Sequence, residues 1–192
     1  MNPQKPRLVM IGNSNVGKTS LVLQICEDQW KSESRATVAA AFYVLKGDEN
    51  QNQTDVQIWD TAGAEKFKAL NTVYYHNSLG GILVFDLTNR VSFDALGDWA
   101  QEFLDFSSPG ALLILVGNKC DLTDKYEVRP DEGEKWAKAH GIKFFTTSAK
   151  ENINIAELKE YILSSMPQVS TSFLPSVQIG NARDSQRTGC CG

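Results

Sequence analysis

Apolar runs alternate with amphipathic stretches along the chain. RLVMIG (7–12), GGILVFDL (80–87), ALLILVGNK (111–119) and KFFTTSA (143–149) read as strands, the middle two fully buried. Residues 17–26 (GKTSLVLQIC) read as a helix. Residues 91–106 place Phe93, Leu96, Trp99, Phe103 and Phe106 at helical spacing. Pro130, a favoured first-turn residue, opens a helix over 130–140. Ile155, Leu158, Ile162 and Met166 form the stripe of a helix docked on a sheet. Residues 37–46 and 54–59 read as two strands joined by the hairpin loop GDENQNQ. Residues 65–77 read as an irregular loop followed by a helix.

Strands alternating with helices predict an α/β fold. The sheet is expected to have six strands and to be mostly parallel, with one antiparallel strand from the hairpin and helices on both faces. Ligands of such sheets bind beyond the carboxyl ends of the strands. After Met166 the sequence turns to Ser, Thr, Gln, Pro and Gly without a sustained period. This predicts one domain over 1–166 and a flexible tail over 167–192.

The chemistry falls at those carboxyl ends. GNSNVGKT (12–19) matches G-x-x-x-x-G-K-[ST], follows a strand and opens a helix. Its glycines let backbone N–H groups approach a phosphate, and the helix N-terminus adds partial positive charge. Asn13, Ser14, Asn15, Val16, Gly17 and Ser20 belong to this cradle. Lys18 can neutralise β- and γ-phosphates, and the Thr19 hydroxyl can ligate Mg²⁺. Asp60 ends the strand in WDTAG, where it can hold a Mg²⁺-bound water. Thr37 lies in the loop between the first helix and the second strand. Taken alone it reads as a strand Thr facing solvent; its position among these motifs makes it a candidate to complete the metal shell.

NKCD (118–121) ends a buried strand at the same rim. The Asp121 carboxylate can accept two N–H bonds from guanine, a donor pair that adenine lacks. Asn118 and the Lys119 stem can buttress the phosphate loop and the base. In Ser148-Ala149-Lys150, backbone N–H groups can meet the guanine carbonyl. Together these motifs argue for a guanine nucleotide and against a P-loop kinase or ATPase.

Composition narrows the class without changing it. The 192 residues, 42 % hydrophobic and 22 % charged, are those of an ordinary globular protein. A net charge of −4 and a pI near 5.2 give no footprint for non-specific nucleic-acid binding. No signal peptide, N-myristoylation site or membrane-spanning run is evident, so an intracellular protein with reduced cysteines is expected. Cys26 and Cys120 have no neighbouring ligands at metal spacing and read as small buried hydrophobes.

Phosphate loop, lone Thr, WDTAG, NKCD and SAK, in this order, resemble the Ras superfamily of small GTPases. QIWDTAGAEKF, FKALNTVYYHN, GGILVFDLT, SFDALGDW and the terminal cysteine pair resemble its Rab branch. The resemblance covers residues 5–166 and, more loosely, the tail. It implies a P-loop GTPase fold and a GTP/GDP switch requiring Mg²⁺. Trp30 matches the aromatic that covers the guanine ring. Phe42, Trp59 and Tyr74 match an aromatic triad on the effector surface. Gly63 matches the glycine that contacts the γ-phosphate. The implied partners are effectors, an exchange factor, a GTPase-activating protein and a prenyl-binding escort. A monomer is expected, cytoplasmic and cycling onto the cytosolic face of intracellular membranes. The Ala40-Ala41-Phe42 run resembles an endosomal subgroup.

Two features set the expected behaviour. The family has Gln at the position of Ala64, where it orients the attacking water. Ala has no donor or acceptor, so intrinsic hydrolysis is expected to fall ~10–100-fold, about 1.4–2.7 kcal/mol of barrier. Activators of Rab proteins supply both a Gln and an Arg in trans, a route around the loss. Without one, the chain would act as a persistently GTP-loaded effector scaffold. The tail ends Cys190-Cys191-Gly192, which resembles a doubly geranylgeranylated Rab tail and is not a C-a-a-X box. Two lipid chains give stable anchoring where one is marginal.

Overall fold

The computed structural model describes residues 5–30, 37, 40–51, 53–62 and 68–167, with the side chains of residues 68–71 left out. The strands are β1 (Arg7–Ile11), β2 (Ala41–Leu45), β3 (Val56–Asp60), β4 (Gly80–Asp86), β5 (Leu112–Asn118) and β6 (Lys143–Thr146). The helices are α1 (Lys18–Glu27), α2 (Lys68–Tyr75), α3 (Arg90–Asp94), α4 (Leu96–Phe106), α5 (Pro130–Ala139) and α6 (Ile155–Ser165). The six strands form one sheet in the order β2-β3-β1-β4-β5-β6. Only β2, paired with β3, runs antiparallel. This is the expected α/β architecture.

Strand alternation builds a core on each face. Leu8 and Met10 of β1, Ile82 and Val84 of β4, and Ile114 and Val116 of β5 face one layer. There they meet Leu21, Val22 and Ile25 of α1 and Leu158 and Ile162 of α6. Val9, Ile11, Leu83, Phe85, Leu113 and Leu115 face the other layer, with Tyr75 of α2, Leu96, Trp99 and Phe103 of α4, and Ala137 of α5. Burial on both faces explains why β4 and β5 read as unbroken apolar runs.

Three elements depart from expectation. β2 begins at Ala41 rather than at residue 37 because Ala41 pairs with Asp60, the last residue of β3. The helix expected over 91–106 divides at Ala95, where ψ relaxes to −4°. Its first part is tied to the end of β4, because Ser92 Oγ accepts from the Asp86 N–H at 3.0 Å. Its second part follows the sheet through Leu96, Trp99 and Phe103. β6 ends at Thr146 rather than 149; Ser148 turns back to form an isolated bridge with Ile153. Pro130 does open α5, and the Glu132 carboxylate accepts from the Arg129 N–H at 2.9 Å. The hairpin loop holds a short 3-10 turn over Glu49–Gln51. Cys26 and Cys120 are half-buried rather than fully buried, and burial raises both thiols, Cys26 to about 11. Among the described residues no helix is long and apolar enough to cross a membrane. The boundary expected at 166/167 borders residues 168–192, which lie outside the described residues with Cys190 and Cys191.

Candidate functional site

The loop between β1 and α1 is shaped by backbone rather than side chains. Gly12 has φ 132°, and a Cβ there would run into the Val84 carbonyl of β4. Gly17 has φ 98°, and a Cβ there would strike the Asn118 amide. Asn15 also adopts a left-handed φ of 63°. Gly17 caps α1 with no side-chain bond to its first turn. The opening N–H groups of that helix therefore suit an anion. Val16 is buried, whereas Ser14 and Asn15 face solvent.

Lys18 lies beneath this loop, 6 % exposed. Its ammonium donates to the Gly12 and Asn13 carbonyls, each at 2.8 Å. Burial pushes Lys18 down to about 8, while the Asp60 carboxylate works in the opposite direction. Protonated, it is a desolvated cation beside the N-terminus of α1, a setting in which attraction to an anion is strong.

Three oxygen-bearing side chains from separate elements converge beside it. The Thr19 hydroxyl donates to Asp60 Oδ2 at 2.7 Å. Thr37 Oγ1 lies 3.0 Å from Thr19 Oγ1 and donates to the same Asp60 oxygen at 3.3 Å. Asp60 Oδ1 is buried and has no hydrogen-bond partner among the described residues. Burial raises the Asp60 carboxyl, and bonds from Thr19, the Lys18 charge and Thr37 pull it back. An orphaned carboxylate oxygen beside two hydroxyls is a hard-oxygen donor set, which fits Mg²⁺.

Asn118 ties three loops together. Its amide donates to the Val16 carbonyl at 2.9 Å. Its Oδ1 accepts from Thr147 Oγ1 at 3.2 Å and from the Ala149 N–H at 3.3 Å. Lys119 takes φ 64°, and its ammonium pairs with the nearly buried Asp86 carboxylate at 2.6 Å. Asp86 Oδ1 in turn accepts from the Thr88 N–H and hydroxyl, at 2.8 and 2.7 Å. Asp121 is half-exposed at the same rim. Ser148 is fully buried: its Oγ accepts from the Glu151 N–H at 3.0 Å, and its N–H donates to the Ile153 carbonyl at 3.2 Å. Lys150 pairs with Glu151 at the surface.

Beyond this rim, Trp59 makes ring contacts with both Phe42 and Tyr74, at centroid distances of 5.7 and 5.4 Å. Phe42 is 59 % exposed. Arg7 covers Trp59 at 5.0 Å. The three aromatics form one contiguous row, which also packs β2 against β3 and α2. Trp30 follows α1, is largely exposed and makes no ring contact among the described residues. Ser20 lies in the first turn of α1. Gly63 and Ala64 lie outside the described residues.

Sequence reading passed over two contributors. Asp86 ends a buried strand, which is the signal that singled out Asp60, yet its bond to Lys119 crosses from β4 to the loop after β5. Trp99 was visible only as a helical core position; spacing does not say where an indole N–H points.

Comparison with known proteins agrees with this geometry. The Ras family model matches residues 7–168. The Ras-related protein Rab-3 of Caenorhabditis elegans is 40 % identical over 157 residues, 82 % of this chain and 72 % of that protein. Rab-13 of Bos taurus is 38 % identical over 151 residues, 79 % of this chain and 74 % of its own length. RABA6a of Arabidopsis thaliana is 36 % identical over 175 residues, 91 % of this chain and 75 % of its own length. A phosphate loop on a six-stranded sheet and relatives across animals and plants lead to one assignment: this chain belongs to the Ras family, as a Rab-like small GTPase.

Proposed function

We propose that this chain is a guanine-nucleotide switch of vesicle traffic that binds GDP and GTP with Mg²⁺ and hydrolyses GTP slowly. The observation that carries the reading is the convergence of Thr19, Thr37 and Asp60 beside the buried Lys18. The backbone of Asn13, Ser14, Asn15, Val16 and Gly17, with Ser20 behind it, receives the phosphates. Lys18 neutralises the β- and γ-phosphates. Thr19, Thr37 and Asp60 would hold Mg²⁺. When bound, that ion offsets charge developing on the phosphate oxygens.

Asp121 accepts the guanine N–H pair, Lys119 and Trp30 flank the base, and the Ser148-Ala149-Lys150 turn meets its carbonyl. Asn118 holds this turn against the phosphate loop. Gly63 donates its N–H to the γ-phosphate, and GTP orders the segments around Thr37 and Gly63 that hydrolysis then releases. Phe42, Trp59 and Tyr74 offer that ordered state an apolar contact row for effectors.

Ala64 brings no group that can orient water, so the resting rate is low and a trans-acting activator must supply the missing amide. That same residue favours a second reading, a hydrolysis-deficient scaffold held with GTP until exchange or turnover. In either reading the domain spans 1–166. The 167–192 tail carries geranylgeranyl groups on Cys190 and Cys191, and the monomer cycles between cytoplasm and the cytosolic face of intracellular, endosomal membranes. An exchange factor, an activator and a prenyl-binding escort serve the cycle.

Nucleotide competition tests the reading. Excess GTP or GDP should displace a fluorescent GDP analogue, and excess ATP should not. Equal displacement by ATP would refute the guanine site.

A further inference from the structure

The phosphate loop is fastened at both ends by side chains from outside it. Asn118 holds the far end through the Val16 carbonyl. At the near end the indole N–H of Trp99, 86 residues along the chain, donates to Asn13 Oδ1. Asn13 follows Gly12 directly, and its own carbonyl accepts from Lys18 Nζ at 2.8 Å. One residue therefore receives Trp99 on its side chain and the lysine on its main chain.

Trp99 is well placed to act as a fixed point. It is 2 % exposed, on α4, within the core layer that holds Ile11, Leu83 and Phe85. The loop it reaches includes Gly12 and Gly17, residues whose main chain is intrinsically the least restricted, and Gly12, Asn15 and Gly17 all take positive φ, so each fastening bond limits their freedom. A bond from a packed aromatic to the first residue after Gly12 removes freedom where the main chain turns towards the ligand. Binding then has less disorder to remove. The helix that carries Trp99 also meets α2, through the edge contact of Phe103 with Tyr75 at 5.6 Å.

We infer that Trp99 is a positioning residue for the phosphate loop, acting through Asn13 to slow nucleotide release. This rests on the nucleotide-binding reading above. Trp99→Phe keeps an aromatic ring in the core and deletes the N–H; Asn13→Ala deletes the acceptor.

The test uses the full chain loaded with N-methylanthraniloyl-GDP and Mg²⁺, chased with excess GDP. Each single variant is expected to release nucleotide ~3–10-fold faster, the effect of one lost hydrogen bond. The double variant is expected to be no faster than the faster single, because both remove the same bond. A purely structural Trp99 would give effects that multiply. A second readout does not require Trp99→Phe to fold. In the parent chain the Trp99 indole proton should resonate downfield and exchange slowly, and Asn13→Ala alone should shift it upfield and speed its exchange. Unchanged release in Trp99→Phe, multiplying effects, or an indole resonance indifferent to Asn13 would overturn the inference. A parent chain that fails to retain the GDP analogue would instead refute the nucleotide reading beneath it.

Discussion

Thr19 and Asp60 lie 41 residues apart, yet the Thr19 hydroxyl donates to Asp60 Oδ2 at 2.7 Å. Thr19 lies in the first turn of α1 and Asp60 closes β3, so this contact joins the end of the phosphate loop to the strand that leads into residues 61–67. Thr37 reaches the same carboxylate oxygen. A single buried carboxylate thus gathers three separate chain segments.

If that cluster holds Mg²⁺, removing a ligand should uncouple nucleotide retention from the metal. Chelation with EDTA is expected to speed GDP release from the parent chain. Thr19→Ala should weaken GDP binding about tenfold or more, about 1.4 kcal/mol, and blunt the response to EDTA. Release that is equally sensitive to EDTA in the variant would place the metal elsewhere.

Asn118 makes three bonds from a side chain that is almost wholly buried. Asn118→Ala leaves the Val16 carbonyl and the Thr147 hydroxyl without this partner. Stability should fall by about 2–3 kcal/mol, with weaker nucleotide binding in parallel. Thermal unfolding with and without GDP measures both. A variant as stable as the parent would show that the three loops are held by other means.

Asp55 predicts an acid limb. It accepts from Lys5 at 2.9 Å, Lys46 at 3.0 Å and the Gly47 N–H at 3.1 Å. The bond from Lys5 leads in lowering its carboxyl to about 2, below the usual 3.8. Because the folded value is depressed, the stabilisation is fully present above pH 3.8 and is lost as pH falls towards 2. With the side chain 23 % exposed, solvent screening limits the effect to about 1 kcal/mol. Asp55→Asn should lower Tm by roughly 2–4 °C at pH 7, and the gap should close near pH 2. A gap that persists undiminished at pH 2 would exclude ionisation as its source.

The aromatic row separates stability from partner binding. Phe42 is largely exposed, so Phe42→Ala should change folding stability by no more than ~0.5 kcal/mol. GDP release should be unaffected, because the ring contacts Trp59 rather than the phosphate loop. Affinity for an effector that reads this surface should fall by about 1–2 kcal/mol. Titration calorimetry with a captured effector measures it; full affinity in the variant would move the effector surface elsewhere.

Much of this protein could be read before it was seen in three dimensions, for identifiable reasons. β4 and β5 are buried on both faces, so their apolar runs had no competing reading. The phosphate loop was legible because Gly12, Gly17 and Lys18 occupy fixed offsets between a strand and a helix. What escaped was pairing. The start of β2 depends on where β3 ends, and the break at Ala95 on a bond between Ser92 and β4. Asp86 and Lys119 meet only because β4 and β5 are neighbours. Local periodicity carries no record of such contacts between distant segments.

The central claim concerns Ala64, and single-turnover GTP hydrolysis tests it most directly. The parent chain and Ala64→Gln, each loaded with GTP and Mg²⁺, should differ by ~10–100-fold, the glutamine variant being faster. Equal rates would contradict the account, because another group would then have to orient the water.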